Sequence, residues 1–218
     1  MILILTAPVD PHADRVERKL RERNAEVFRF DPARFPTEAA LSLGYDPGGI
    51  TSATLRVDGR TIDLGATTTA WYRRPGRPVA DVTIADAAAR TFVEEESATV
   101  VQDAWASLPI AWIPAPRHVL RWAQCKATQL RIAGQLGFEL PPTLISNDPA
   151  DFLAFYQQHN GQVISKLAGF THVPEIDCAF ARYTEVVSTR DIGYADGIRF
   201  CPMIFQAYVS KRVELRVT

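Results

Sequence analysis

The stretch MILILTAPVDPHADRVERKLRERNAEVFRF, residues 1–30, decides the fold. Ile2 to Leu5 is a short unbroken apolar run, the pattern of a strand covered on both faces. Asp10-Pro11 interrupts the chain, and residues Ala13 to Arg23 then place Val16 and Leu20 on one helical face. Ala25 to Phe30 returns to strand character. Strand, helix, strand is the opening of an α/β domain. No basic segment precedes the first apolar run and polar residues follow it at once, so the start is a buried strand and not a signal peptide.

Beyond that opening, residues Asp31 to Gly49 read as a loop, punctuated by Asp31-Pro32, Phe35-Pro36 and Asp46-Pro47-Gly48-Gly49. Ser52 to Val57 and Arg60 to Leu64 flank Asp58-Gly59, a pair that tolerates the positive φ of a tight hairpin turn. A strand over Thr69 to Tyr72 leads into Arg73-Arg74-Pro75, and Ile84 to Leu108 reads as one long helix or two broken ones. The run Glu94-Glu95-Glu96 on it is a solvated face, since three consecutive helical residues cannot point one way.

Pro109, Pro114 and Pro116 mark a boundary near residue 115, giving an N-terminal domain over 1–115 and a second over 116–218. The pattern predicts a helix from Val119 to Leu136 with Gly137 as its C-cap, a strand over Thr143 to Ile145, a helix over Asp151 to His159, and a strand over Gln162 to Lys166. Short alternating stretches between 170 and 200, Ala179 to Val187 among them, read as a β-hairpin. Ile204 to Val209 and Val213 to Val217 read as strands, so the sequence stops inside a strand whose backbone groups need partners.

The composition is that of an ordinary soluble globular chain: 218 residues, 47% hydrophobic and 22% charged. Lys and Arg number 24 against 25 Asp and Glu, a net charge of -1, which gives no support to a general nucleic-acid binder while leaving a local basic patch open. No apolar run reaches the roughly 18 to 20 residues that span a bilayer, so no membrane partner is expected. Cys125, Cys178 and Cys201 are sparse and far apart, which argues against disulfides or a zinc knuckle and for small buried side chains, with a cytoplasmic location as the default. The four histidines have no ligand spacing, and neither GxxxxGK[ST] nor GxGxxG occurs.

The residues that carry chemistry are few. Lys166 ends an apolar strand, where an ammonium needs an anion or solvent, and Lys126 lies on a helix; together they can clamp phosphates as mobile point charges, or each can simply reach the surface. Gln206, Ala207, Tyr208 and Val209 offer backbone and side-chain groups for an adenine edge, or plain strand alternation. Glu214 and Arg216 share a strand face, either around a ribose and an acyl phosphate or as a surface ion pair. Arg73 and Arg74 either project into a cleft to meet phosphate or carboxylate, or form a solvated strand end.

In this order, WYRRP at 71–75, KATQLRIAGQLGFELPPTLISND at 126–148, VISK at 163–166, IFQAYVSK at 204–211 and ELRVT at 214–218 resemble the ATP-grasp ligases. The set is most similar to the maturases that crosslink ribosomally made peptides into graspetides such as microviridins. The resemblance implies an α/β pre-ATP-grasp domain to about residue 115, followed by an incomplete ATP-grasp domain. It implies ATP and Mg2+ as cofactors, with Lys126 and Lys166 at the phosphates, Gln206 to Val209 at the adenine and Glu214 at the ribose. Arg216 would be the catalytic residue near the acyl acceptor. Arg73 and Arg74 would be on the substrate side, and the region 178–191, with Arg190 and Asp191, would dock the leader of a precursor peptide. Homodimerisation is a family habit. The metal ligands of relatives lie past the ELRV segment, so the resemblance implies metal ligands beyond Thr218 and none in this chain. The implied activity is activation of an Asp or Glu side chain as an acyl phosphate, then attack by Ser, Thr or Lys. A different ATP-grasp amino-acid ligase and a non-catalytic leader-binding module stay open as alternatives.

Overall fold

The computed structural model describes residues 1–168 and 184–215. The chain divides into two compact units, Met1–Ala123 and Gln124–Thr218.

In the first unit, β1 (Ile2–Thr6) leads into α1 (Pro11–Arg21), whose N-cap Asp10 accepts hydrogen bonds from the backbone of His12 at 3.1 Å and Ala13 at 3.2 Å. β2 (Val27–Phe30) returns parallel to β1, with Ile2 opposite Val27. β3 (Ala39–Asp46), β4 (Gly49–Val57) and β5 (Arg60–Asp63) form a separate antiparallel sheet. Asp58 at φ 52° and Gly59 at φ 69° make the tight turn between β4 and β5. β6 (Thr69–Arg74) pairs parallel with the other edge of β1, α2 (Ala87–Ser107) crosses over, and β7 (Ala111–Ile113) adds a fourth strand, giving the order β2-β1-β6-β7. Alternate residues of β1 serve opposite faces. Leu3 and Leu5 join Leu55, Val101 and Trp105 in the larger cluster, while Ile4 packs with Ala13 and Val27 in the smaller one.

One expectation fails here. The stretch 31–49 is not a loop throughout: it contains β3, and Asp46-Pro47-Gly48-Gly49 is the turn into β4. Ala39 is buried and Leu41 and Leu43 pack against the larger cluster, so pairing with β4 creates a strand that local composition hides. The prolines near residue 115 flank β7, a three-residue strand inside the first unit.

At the end of that unit, α3 (Arg117–Gln124) is followed directly by α4 (Lys126–Gln135). A single helix over 119–136 is therefore broken at Cys125, which is extended at φ -65° and ψ 113°. No Gly or Pro marks the break, so propensity reads straight through it. Gly137 at φ 81° does follow the end of α4 as a C-cap glycine.

The second unit holds β8 (Thr143–Ser146), α5 (Pro149–Gln158) capped by Asp148, β9 (Val163–Lys166), β10 (Glu185–Val186), α6 (Thr189–Ile192) and β11 (Met203–Ala207). Its strands run antiparallel in the order β10-β9-β11-β8. Phe152 and Phe205 meet in its core with ring centroids 4.3 Å apart. The expected hairpin between 170 and 200 falls partly outside the described residues. Of its remainder, only Glu185 and Val186 are strand, and 189–200 are mainly helical turns. β11 ends at Ala207 instead of Val209, and Val213 to Leu215 are not in a strand. Cys125 and Cys201 are exposed and free, contrary to the expectation of buried thiols: one sits between two helices that bury no residue, the other after a surface turn. Cys178 lies outside the described residues.

Candidate functional site

Strand register assembles the site in the second unit. Lys166 on β9 stands opposite Ile204 on β11, and Gln206 stands opposite Thr143 on β8. Directly paired residues share a face, as do residues two apart on a strand, so Lys166, Ile204, Gln206 and Thr143 all lie on one face of the sheet. The neighbouring residues Ser165 and Phe205 are buried.

Lys126 and Leu130 of α4 join Lys166, Thr143, Ile204 and Gln206 around a cavity of about 310 Å3. Lys166 Nζ donates to Gln206 Oε1 at 2.7 Å, Gln206 Nε2 donates to Thr143 Oγ1 at 2.8 Å, and Thr143 Oγ1 donates to the Pro141 carbonyl at 2.8 Å. Lys126 Nζ donates to Gln129 Oε1 at 3.2 Å. Both ammonium groups thus meet amide oxygens, and among the described residues neither has an ion pair. Partial burial, then the charges of Lys126 and Lys211, hold the pKa of Lys166 below the ordinary lysine value. Two positive charges share a partly dry cavity with no counter-ion among the described residues, an arrangement that favours an anion.

Ala207 N–H donates to the Pro142 carbonyl at 2.9 Å and Tyr208 N–H to the Gln162 carbonyl at 2.8 Å. These two donors of the expected adenine segment are therefore occupied by the sheet. Val209 is exposed, and among the described residues its N–H has no partner. Glu214 is exposed and paired with Lys211, whose hydrogen bond holds the Glu214 carboxyl below its usual range. Arg216 lies outside the described residues.

The other candidates are not among the residues lining this cavity. Asp191 accepts from the Ser188 backbone at 2.7 Å and hydroxyl at 2.8 Å in a capping box on α6, and it lines an apolar cavity of about 420 Å3 with Phe152, Val187 and Phe205. Arg190 is exposed beside it. In the first unit, Arg73 Nε lies 3.3 Å from Asp10 Oδ2 and its guanidinium 5.9 Å from the Trp71 ring centroid, while Arg74 is exposed. Sequence reading did not single out Thr143 or Lys211. Alternation on β8 and the position of Lys211 after the FQAYV segment were the available signals. Among the described residues no group of three or more His, Cys, Asp or Glu side chains could hold a metal ion.

A family model for the MvdD pre-ATP grasp domain matches residues 1–119. Among solved structures, the macrocyclase MdnC of Microcystis aeruginosa MRC, bound with precursor peptide MdnA, is 25% identical, with a TM-score of 0.84 over 96% of this chain and 66% of its own. A RiPP-associated ATP-grasp ligase of Chryseobacterium gregarium, in complex with ADP and a leader and core peptide, is 26% identical, with a TM-score of 0.82 over 97% of this chain and 63% of its own. The macrocyclase MdnB of Microcystis aeruginosa MRC is 30% identical, with a TM-score of 0.78 over 97% of this chain and 68% of its own. No curated protein sequence matches the chain. The chain thus spans about two thirds of these relatives. Its parallel β2-β1-β6-β7 domain is matched by the family model, and 96–97% of its length follows three solved macrocyclase or RiPP-associated ligase structures. The chain therefore belongs to the ATP-grasp ligases that mature ribosomally made peptides, and it carries their MvdD-type pre-ATP-grasp domain.

Proposed function

We propose that this chain supplies the nucleotide-phosphate and peptide-handling surfaces of an ATP-dependent ligase that crosslinks a precursor peptide. The observation that carries this reading is the meeting of Lys126 and Lys166 in one cavity, with no carboxylate among the described residues paired to either. The lysines hold the phosphates, and the Val209 N–H, unpaired among the described residues, serves the adenine edge beside Gln206, Ala207 and Tyr208. Glu214 serves the ribose and Arg216 the acyl-phosphate end. Magnesium, when bound, tempers phosphate repulsion; among the described residues no cluster is available to hold it.

In the reaction, a γ-phosphoryl group passes from ATP to a carboxylate of the peptide. A Ser or Thr hydroxyl, or a Lys amine, of the same peptide then displaces phosphate, leaving an ω-ester or ω-amide with ADP and phosphate. The protein's share is positioning and charge neutralisation. Arg190 and Asp191 serve the leader, and Arg73 and Arg74 the rest of the peptide. The relatives crystallised with precursor, leader or core peptides support a peptide partner.

The test is mass spectrometry of a cognate precursor incubated with the natural full-length protein, ATP and magnesium. The expected result is loss of one water per crosslink, abolished by Lys166→Ala. ADP release driven by free amino acids without a leader points instead to another ATP-grasp amino-acid ligase. Saturable peptide binding with neither mass loss nor ATP hydrolysis leaves a leader-binding module.

A further inference from the structure

A second concavity lies wholly in the first unit. It has a volume of about 720 Å3 and is lined by Arg15, Val16 and Lys19 of α1, Trp71 and Arg73 of β6, and Ile113 of β7. α1 packs against β1 and β2 through Ala13 and Leu20; beyond it Ile113 stays 51% exposed, on the strand position paired with Trp71. Parallel strands are ordinarily covered on both faces, so an exposed apolar strip here is a departure that a ligand can fill.

The charges around this strip do not cancel. The acids of α1 and of its C-cap are already paired: Asp14 with Arg29, Glu17 with Arg21 and Glu22 with Arg18. Asp10 is taken by Arg73 and by the cap of α1. Among the described residues Arg15 and Lys19 have no ion pair. They stand four apart on one helix, about 6 Å along its axis. In an extended peptide, side chains two residues apart lie on one face about 7 Å apart. Two carboxylates so placed reach Arg15 and Lys19 together, and the Arg15 guanidinium can take one of them in a bidentate grip.

We propose that this groove docks an extended acidic peptide segment, with carboxylates at alternate residues on Arg15 and Lys19 and an apolar side chain against Trp71 and Ile113. The site shares no lining residue with the lysine cavity of the second unit; because it includes Arg73, it rests on the peptide-substrate reading above and not on the nucleotide reading. A phosphodiester strand is the competing occupant by charge alone, but it would leave the apolar strip uncovered.

The experiment is fluorescence anisotropy with a fluorescein-labelled synthetic peptide in which glutamates alternate with leucine and phenylalanine. The protein is the complete one, without nucleotide. Saturable binding that weakens with salt, falls at least tenfold in Arg15→Ala/Lys19→Ala, and is kept in the exposed control Arg90→Ala and in Lys166→Gln, is the expected result. Circular dichroism of the double variant, with both substitutions on the outer surface of α1, verifies that it is folded. Equal binding of the glutamine-for-glutamate peptide, or undiminished binding by the folded double variant, overturns the proposal. So does displacement of the peptide by a single-stranded oligonucleotide of equal charge at lower concentration. Loss of nucleotide binding in Lys166→Gln with peptide binding intact separates this groove from the ligase site.

Discussion

Lys166 is held between opposing demands. Burial and the charges of Lys126 and Lys211 disfavour its ammonium form, while the 2.7 Å hydrogen bond to Gln206 keeps it engaged. A bound phosphate would relieve the repulsion, so Lys166→Gln should weaken ADP binding by about 1.5–3 kcal/mol, roughly 10- to 150-fold by calorimetry. Lys166→Arg should not restore it, because a planar guanidinium does not replace a compact ammonium in a cavity of about 310 Å3. The pH dependence follows from the depressed lysine pKa. Affinity for ADP is full where Lys166 is charged and falls as pH rises through a midpoint below 10.5. In the empty protein the same shift makes the charged form a folding penalty, present at neutral pH and gone above 10.5. An affinity independent of pH between 7 and 10.5 would show that Lys166 does not touch the phosphates. The sequence showed each lysine and its local element; what it did not show was their shared cavity, because the period of a strand specifies a face and not a neighbour.

At the scale of elements, α1 depends on Asp10. This buried carboxylate caps the helix and accepts from the Thr6 hydroxyl at 2.8 Å, and Arg73 lies 3.3 Å away. Burial pushes its pKa up; the hydrogen bonds from Thr6, Ala13 and His12 and the charge of Arg73 outweigh that and hold it below the usual aspartate value. Asp10→Ala should therefore lower stability in urea denaturation by about 1–2 kcal/mol for the cap, and by more if Arg73 finds no new partner. The contribution of the carboxylate is present above about pH 3.9, the unfolded value, and is lost as pH falls through the lower folded value. The start of α1 was readable from Asp10-Pro11. β3 was not, because its turn-rich flanks mask a pairing made only with β4. The break at Cys125 was hidden for the opposite reason: helix-favouring residues stand on both sides of it.

For the whole molecule, each unit draws its apolar clusters from within itself. The two clusters of the first unit run from Met1 to Trp112, and that of the second from Leu144 to Phe205. Residues 1–123 expressed alone should therefore unfold cooperatively and give a dispersed amide spectrum; a collapsed spectrum without a transition would show that its core needs the second unit. The sequence by itself determined the α/β opening, the Asp58-Gly59 hairpin and, through its ordered set of motifs, the family, because hydrophobic period, turn chemistry and residue order are local properties. Only the tertiary structure decided that β11 lies between β9 and β8 and that α4 brings Lys126 to Lys166. It also decided that Arg73 is tied to Asp10 beside a groove bearing Arg15 and Lys19. Those contacts join residues distant in the chain, and the free energy that selects them comes from burial and pairing across the sheets, which local propensity does not contain.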